Sequence, residues 1–148
     1  MNEKRYKIGY TTGVYDMFHI GHLNILKKAK ERCDYLIVGV STDEVVQSYK
    51  HRTPIIPFAE RIAIIRELRC VDQAVPQSSM NKMEAWKEYH FDALFHGSDW
   101  KGSEMYNNMI EQFAKVGVDV VFLPHTEGVS STLLSEVLYK LKEESEEG

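Results

Sequence analysis

The sequence predicts a single α/β domain: a five-stranded parallel sheet with helices on both faces. Three observations carry that expectation. Strand-like and helix-like patterns alternate along the chain, which calls for right-handed crossovers and a covered parallel sheet. The length, 148 residues, suits one hydrophobic core. The polar clusters follow strand-like segments, and parallel sheets bind ligands beyond the carboxyl ends of their strands.

Lys7-Ile8-Gly9-Tyr10 reads as the first strand, and Leu23 to Ala29 as the helix after it. Tyr35 to Val40 is a second strand, apolar enough for burial on both faces. Ser41-Thr42-Asp43-Glu44 looks like a helix start, and Gln47 to Pro57, with two prolines, like a loop. Phe58 to Leu68 has apolar residues at Ile62, Ile65 and Leu68 and predicts a helix. Gln73-Ala74-Val75 is a short third strand, Met80 to Tyr89 a helix, and Ala93-Leu94-Phe95 a fourth strand ending at His96-Gly97-Ser98-Asp99. Glu104 to Lys115 is a helix, Val118 to Leu123 the fifth strand, and Ser131 to Glu144 the last helix. These elements make one Rossmann-like domain over residues 1–142, followed by an acidic tail, 143–148.

Composition narrows the function. Hydrophobic content is 43% and charged content 27%, ordinary for a globular protein. No apolar run approaches the ~20 residues of a membrane helix, and Met1 to Arg5 leads straight into a strand without a signal peptide. Two unclustered cysteines, Cys33 and Cys70, fit a reducing compartment, so a cytoplasmic protein with no membrane partner is expected. Net charge is −4, and the last six residues hold four glutamates; without them the body is formally neutral. Nucleic-acid binding leaves a basic excess, so no nucleic-acid partner is expected.

The chain turns on Gly13-Val14-Tyr15-Asp16-Met17-Phe18-His19-Ile20-Gly21-His22, where the first strand hands over to the first helix. A helix start offers unpaired backbone N–H groups and partial positive charge, suited to phosphate. His19 and His22, three apart, share one helical face and can reach one ligand. Gly21 between them lets a phosphate or base approach the backbone. A satisfied structural pair is the plain alternative. A zinc pair is the other, but zinc sites need three or four ligands, and the two cysteines stand in helical contexts without Cys-x-x-Cys spacing.

His19-Ile20-Gly21-His22 resembles the His-x-Gly-His motif of the nucleotidyltransferase superfamily, and with Asp16 three residues ahead it is similar to the cytidylyltransferase branch. Three more stretches follow in order. Glu60-Arg61 and Arg69-Cys70-Val71-Asp72 resemble the Glu-Arg and Arg-Tyr-Val-Asp stretches of that family. Gly97-Ser98-Asp99-Trp100-Lys101-Gly102 is similar to the Gly-Asp-Asp-Trp-x-Gly of glycerol-3-phosphate cytidylyltransferases. Thr126-Glu127-Gly128-Val129-Ser130-Ser131-Thr132 resembles their Arg-Thr-Glu-Gly-Ile-Ser-Thr-Thr motif. The likeness runs from Lys7 to Glu136.

The resemblance implies CMP transfer from CTP to a small phosphorylated alcohol, glycerol 3-phosphate leading, with pyrophosphate released. It implies His19, His22, Lys50 and Arg69 as catalytic residues, Lys50 on the α-phosphate with Arg52 as its fallback. Val14, Tyr15, Asp16 and Gly21 would line the nucleotide site, Asp16 orienting a histidine or approaching the metal. Arg61 and Arg69, eight apart and so about two turns along one face, would hold acceptor and nucleotide phosphates, with Asp72 fixing Arg69 or capping the turn. Asp99 would take the cytosine amine or orient an arginine, and Trp100 would wall the pocket. His125, Thr126, Gly128, Ser130, Ser131 and Thr132 would take the β- and γ-phosphates. Mg²⁺ would arrive with CTP, and a homodimer is implied. Two positions depart from the pattern: His125 stands where the family has arginine, and Val14 where many glycerol-3-phosphate enzymes have threonine. Phosphocholine, phosphoethanolamine and polyol or sugar-derived phosphates remain as acceptors, ATP as nucleotide, and a non-catalytic nucleotide-binding module as a different class.

Overall fold

The computed structural model describes residues 5–79, 81–97, 104–124 and 140–141. The elements run β1 (Tyr6–Gly13), α1 (Ile20–Glu31), β2 (Cys33–Ser41), α2 (Asp43–Lys50), α3 (Phe58–Arg66), β3 (Gln73–Gln77), α4 (Lys82–Tyr89), β4 (Ala93–Gly97), α5 (Glu104–Ala114) and β5 (Asp119–Leu123). The five strands form one parallel sheet in the order β3-β2-β1-β4-β5. This is the expected Rossmann-like fold. Strand order reverses at β1, whose neighbours are β2 and β4, so the crevice of such a sheet opens at the carboxyl ends of β1 and β4.

Side chains alternate between two cores, as period-two strands require. Leu36, Val38, Val40, Ala93 and Phe95 face Leu26 and Ala29 of α1 and Ile62 and Ile65 of α3. Tyr10, Ile37 and Leu94 face Ala85 of α4 and Phe113 of α5. α1 and α3 therefore cover one face, α4 and α5 the other.

The elements differ from expectation mainly at their ends. α2 continues through Lys50 into the stretch expected as loop. Thr42 caps it, its hydroxyl accepting from the Val45 N–H at 3.2 Å, Asp43 and Glu44 suit its positive end, and no proline intervenes before Pro54. It stops where His51 turns left-handed, φ 57°. β3 runs on through Pro76 to Gln77. Proline is tolerated there because β3 is an edge strand. Cys33, expected in a helical context, opens β2. Of the last helix, Lys140 and Leu141 are described and helical; the rest lies outside the described residues.

Candidate active site

β1 delivers the chain to the carboxyl edge of the sheet at Gly13, and α1 begins at Ile20 after six intervening residues. Two non-glycine residues in this loop are left-handed: Tyr15 at φ 56° and Met17 at φ 51°. Each costs about 1–2 kcal/mol against an ordinary backbone. Burial and hydrogen bonds offset that. The Tyr15 ring is buried over Gly13, where an added Cβ would lie 2.7 Å from the ring Cζ. Asp16, between the two, is buried and accepts from the backbone N–H groups of Ile55 and Ile56, each at 2.8 Å.

α1 opens with a reciprocal cap built from two imidazoles. His19 is the N-cap, and its Nδ1 accepts from the Gly21 N–H at 2.9 Å. The His22 Nδ1 accepts from the His19 N–H at 3.2 Å. This is a capping box with histidines where serine and glutamate usually stand. A ring nitrogen that accepts carries no proton, so each neutral imidazole bears its proton on Nε2. The His19 Nε2 is buried, and no described group bonds to it. The rings sit 4.1 Å apart, centroid to centroid. Burial, and then the neighbouring His19, pushes the His22 pKa down to about 4, against an upward pull from Asp16. His22 is therefore neutral near pH 7 and presents one N–H donor.

Arg61 is placed differently from the expectation. It lies on α3 but turns inward, 1% exposed. Its Nε donates to the Ile56 carbonyl at 2.8 Å, one terminal nitrogen to the carbonyls of Val14 and Ser41 at 2.7 Å each, and the other to Asp43 Oδ1 at 2.5 Å. Four of the five guanidinium N–H groups thus serve the protein's own oxygens. The phosphate role assigned to Arg61 gives way to a structural one: it ties the β1–α1 loop, β2, α2 and the segment before α3 together. Asp16 is tied into the same region: its two oxygens accept from the Ile55 and Ile56 N–H groups, and its charge favours the protonated form of the neighbouring His22. Val14 contributes its carbonyl to the same network.

Arg69 and Asp72 are also placed differently from the expectation. α3 ends at Arg66, so Arg69 is beyond the helix, not on its face. Asp72 binds the Leu36 N–H and Lys30 Nζ through Oδ2, each at 2.7 Å. Leu36 pairs with Gly9 on β1, four residues before Gly13, a strand length of about 13 Å. Asp72 therefore fastens the amino edge of the sheet, tying Lys30 of α1 to Leu36 of β2.

Lys50 closes α2, just ahead of the segment that Asp16 and Arg61 hold against the β1–α1 loop. Gly21 serves the site through its N–H, which the cap employs. Asp99, Trp100, His125, Thr126, Gly128, Ser130, Ser131 and Thr132 lie outside the described residues.

A second polar cluster, which the sequence reading missed, occupies the same edge on the α4/α5 face. His96 is buried near the end of β4, with the Tyr106 hydroxyl 3.0 Å from its Nε2. The rings meet edge-on, centroids 4.8 Å apart. Lys82, the first residue of α4, places Nζ 5.6 Å above the Tyr106 ring. Burial pushes the Lys82 pKa down to about 8. Burial, and then the Lys82 charge, pushes His96 down to about 3. The sequence signal for it is slight: a histidine in an otherwise apolar strand and a lysine opening a helix. Among the described residues no group of three His, Cys, Asp or Glu side chains is arranged to hold a metal ion, and no helix is long and apolar enough to cross a membrane.

A family model described as cytidylyltransferase-like matches residues 10–137. The chain is 35% identical over 130 residues to a glycerol-3-phosphate cytidylyltransferase of Staphylococcus aureus, covering 87% of this chain and 92% of the relative. It is 32% identical to an FAD synthase of Thermococcus kodakarensis, covering 97% of both. Among solved structures, a lipopolysaccharide core biosynthesis protein of Thermoplasma volcanium superposes with a TM-score of 0.69 at 29% identity, covering 82% of this chain and 97% of that one.

Proposed function

We propose, from the premise that this chain belongs to the cytidylyltransferase-like family and is a nucleotidyltransferase, that it transfers CMP from CTP to a small phosphorylated polyol. Glycerol 3-phosphate is the leading acceptor, as in the name of the Staphylococcus aureus relative. The observation that carries the reading is the reciprocal imidazole cap, which leaves a buried His19 Nε2–H unbonded at the start of α1, the helix that follows the strand at which strand order reverses.

The chemistry suits such a site. An acceptor phosphate oxygen attacks the α-phosphorus of CTP, the bond from that phosphorus to the bridging oxygen breaks, and pyrophosphate leaves. The nucleophile is already ionised near neutral pH, since the second pKa of a phosphate monoester is about 6. No general base is required. The work is to align two anions and stabilise charge on the oxygens around the α-phosphorus. His19 and His22 donate from Nε2 to those oxygens, and Lys50 adds a cation. Mg²⁺ would accompany the triphosphate and supply further charge neutralisation on its phosphate oxygens.

Lys82 supports an anionic acceptor. A half-buried ammonium beside His96 and Tyr106 attracts a phosphate and repels the quaternary nitrogen of phosphocholine. Lys82→Met, similar in length, should raise the KM for the acceptor about tenfold or more, with the KM for CTP little changed. An unaltered acceptor KM would remove Lys82 from the site.

Adenylyl transfer from ATP is the second reading, favoured by the similarity to the FAD synthase. One assay separates the two: pyrophosphate release by purified protein with Mg²⁺, CTP or ATP, and glycerol 3-phosphate, ribitol phosphate, phosphocholine, phosphoethanolamine or flavin mononucleotide. Release with CTP and a polyol phosphate is the expected result. Release with ATP and flavin mononucleotide alone would replace this reading with the second. Silence with every pair, from folded protein that still binds CTP, would favour a binding module and make His125→Arg the next variant.

A further inference from the structure

Phe18 is an aromatic residue in the middle of the β1–α1 loop with no part yet in binding or capping. Its ring stacks on the His22 imidazole, centroids 5.4 Å apart and planes at 27°. Tyr15 meets the same imidazole edge-on, at 5.7 Å and 79°. Phe18 is itself packed against the core on the α1/α3 face, so its plane is fixed from beneath. The His22 Nδ1 is already held by the His19 N–H. One anchored nitrogen leaves the ring free to swing, and a stacked neighbour removes that freedom.

The ionisable groups around His22 are His19 on the same helix, Asp16 on the loop and the Tyr15 phenol beneath it. Asp16 favours the imidazolium, and His19 disfavours it. A π-face would also favour a cation. Exclusion of water opposes both, and it is the largest cause of the depressed pKa.

We propose that Phe18 is a positioning residue for nucleotidyl transfer: its ring sets the plane of His22 and keeps water off it, so that His22 meets the α-phosphate as a neutral Nε2–H donor. This rests on the role proposed above for His22. A neutral donor in a dry wall gives the developing charge a hydrogen bond of fixed direction, without a proton that must be gained or lost during turnover.

The test pairs Phe18→Leu, which keeps apolar bulk, with Phe18→Tyr, which keeps the aromatic face. Imidazole ¹⁵N NMR follows the His22 pKa and tautomer, and kinetics with CTP follow kcat and KM against pH. In Phe18→Leu the His22 pKa should rise by about one unit or more towards its ordinary 6.5. kcat should fall about tenfold at unchanged KM for CTP, with its acid limb moved up by the same amount. Phe18→Tyr should restore all three. A Phe18→Leu protein whose His22 titrates as in the wild type overturns the proposal. So does a loss of kcat that Phe18→Tyr fails to rescue. Wild-type protein silent with every substrate pair would defeat the proposed function, while the NMR titration alone would still decide whether Phe18 shields His22.

Discussion

Arg61→Met lowers the stability of the protein by about 3–5 kcal/mol, the usual result of removing one partner from a buried ion pair. The substitution fills much the same space, so the loss is electrostatic. It leaves the carbonyls of Ile56, Val14 and Ser41 without their donor, and the Asp43 carboxylate without its cation. Asp43 is 32% exposed on its side chain and recovers some hydration, which places the expected loss towards the lower figure. Against a total of about 5–15 kcal/mol this is a large share. Thermal unfolding should show a midpoint about 10 °C lower or more. A variant that melts with the wild type would mean that the network is redundant, and would return Arg61 to consideration as a ligand for phosphate.

His19→Asn should leave the fold standing and remove the reaction. Asparagine is among the best N-cap residues, so its side-chain oxygen can still accept from the start of α1. It cannot place a donor where the Nε2–H of His19 lies. Turnover should fall about 10²–10³-fold, the range for deleting one preorganised donor to a charged transition state. His19→Ala should lose the same turnover and, in addition, about 1 kcal/mol of stability with the cap. Comparing the two variants by pyrophosphate release and by thermal melting separates capping from catalysis. Near-normal turnover in a folded His19→Asn protein would sink the assignment.

The parallel sheet and the place of its site were legible because alternation of patterns is a local property repeated along the chain. The His19–His22 pair was legible because its spacing and its position between strand and helix are both written in one stretch. The direction in which a charged side chain points is not local. Arg61 lies four residues before Ile65 and one before Ile62, both buried, so helical periodicity already set it beside the core-facing stripe of α3. Its charge argued for solvent or ligand, and two of the three carbonyls that receive it, those of Val14 and Ser41, lie 47 and 20 residues away. The spacing of Arg61 and Arg69 misled for a simpler reason: a helical-face argument holds only while the helix lasts, and α3 stops between them. The hold of Asp16 on Ile55 and Ile56 was not legible because those N–H groups lie 39 and 40 residues away. Lys82, His96 and Tyr106 went unnoticed because no single stretch contains them; the ends of β3 and β4 bring them together.

The central place of β1 also constrains the order in which the molecule can assemble. The first strand made is the one with a neighbour on each side, and its second neighbour, β4, arrives late, Thr11 bonding to the Phe95 carbonyl 84 residues on. Until then a chain carrying β1, β2 and β3 leaves β1, a central strand of the finished sheet, as an unpaired edge, an invitation to pair with another chain. Closing so long a loop is slow compared with forming α1 or α2. The imidazole cap can form early, from residues three apart, but the crevice beside it exists only once β4 has docked.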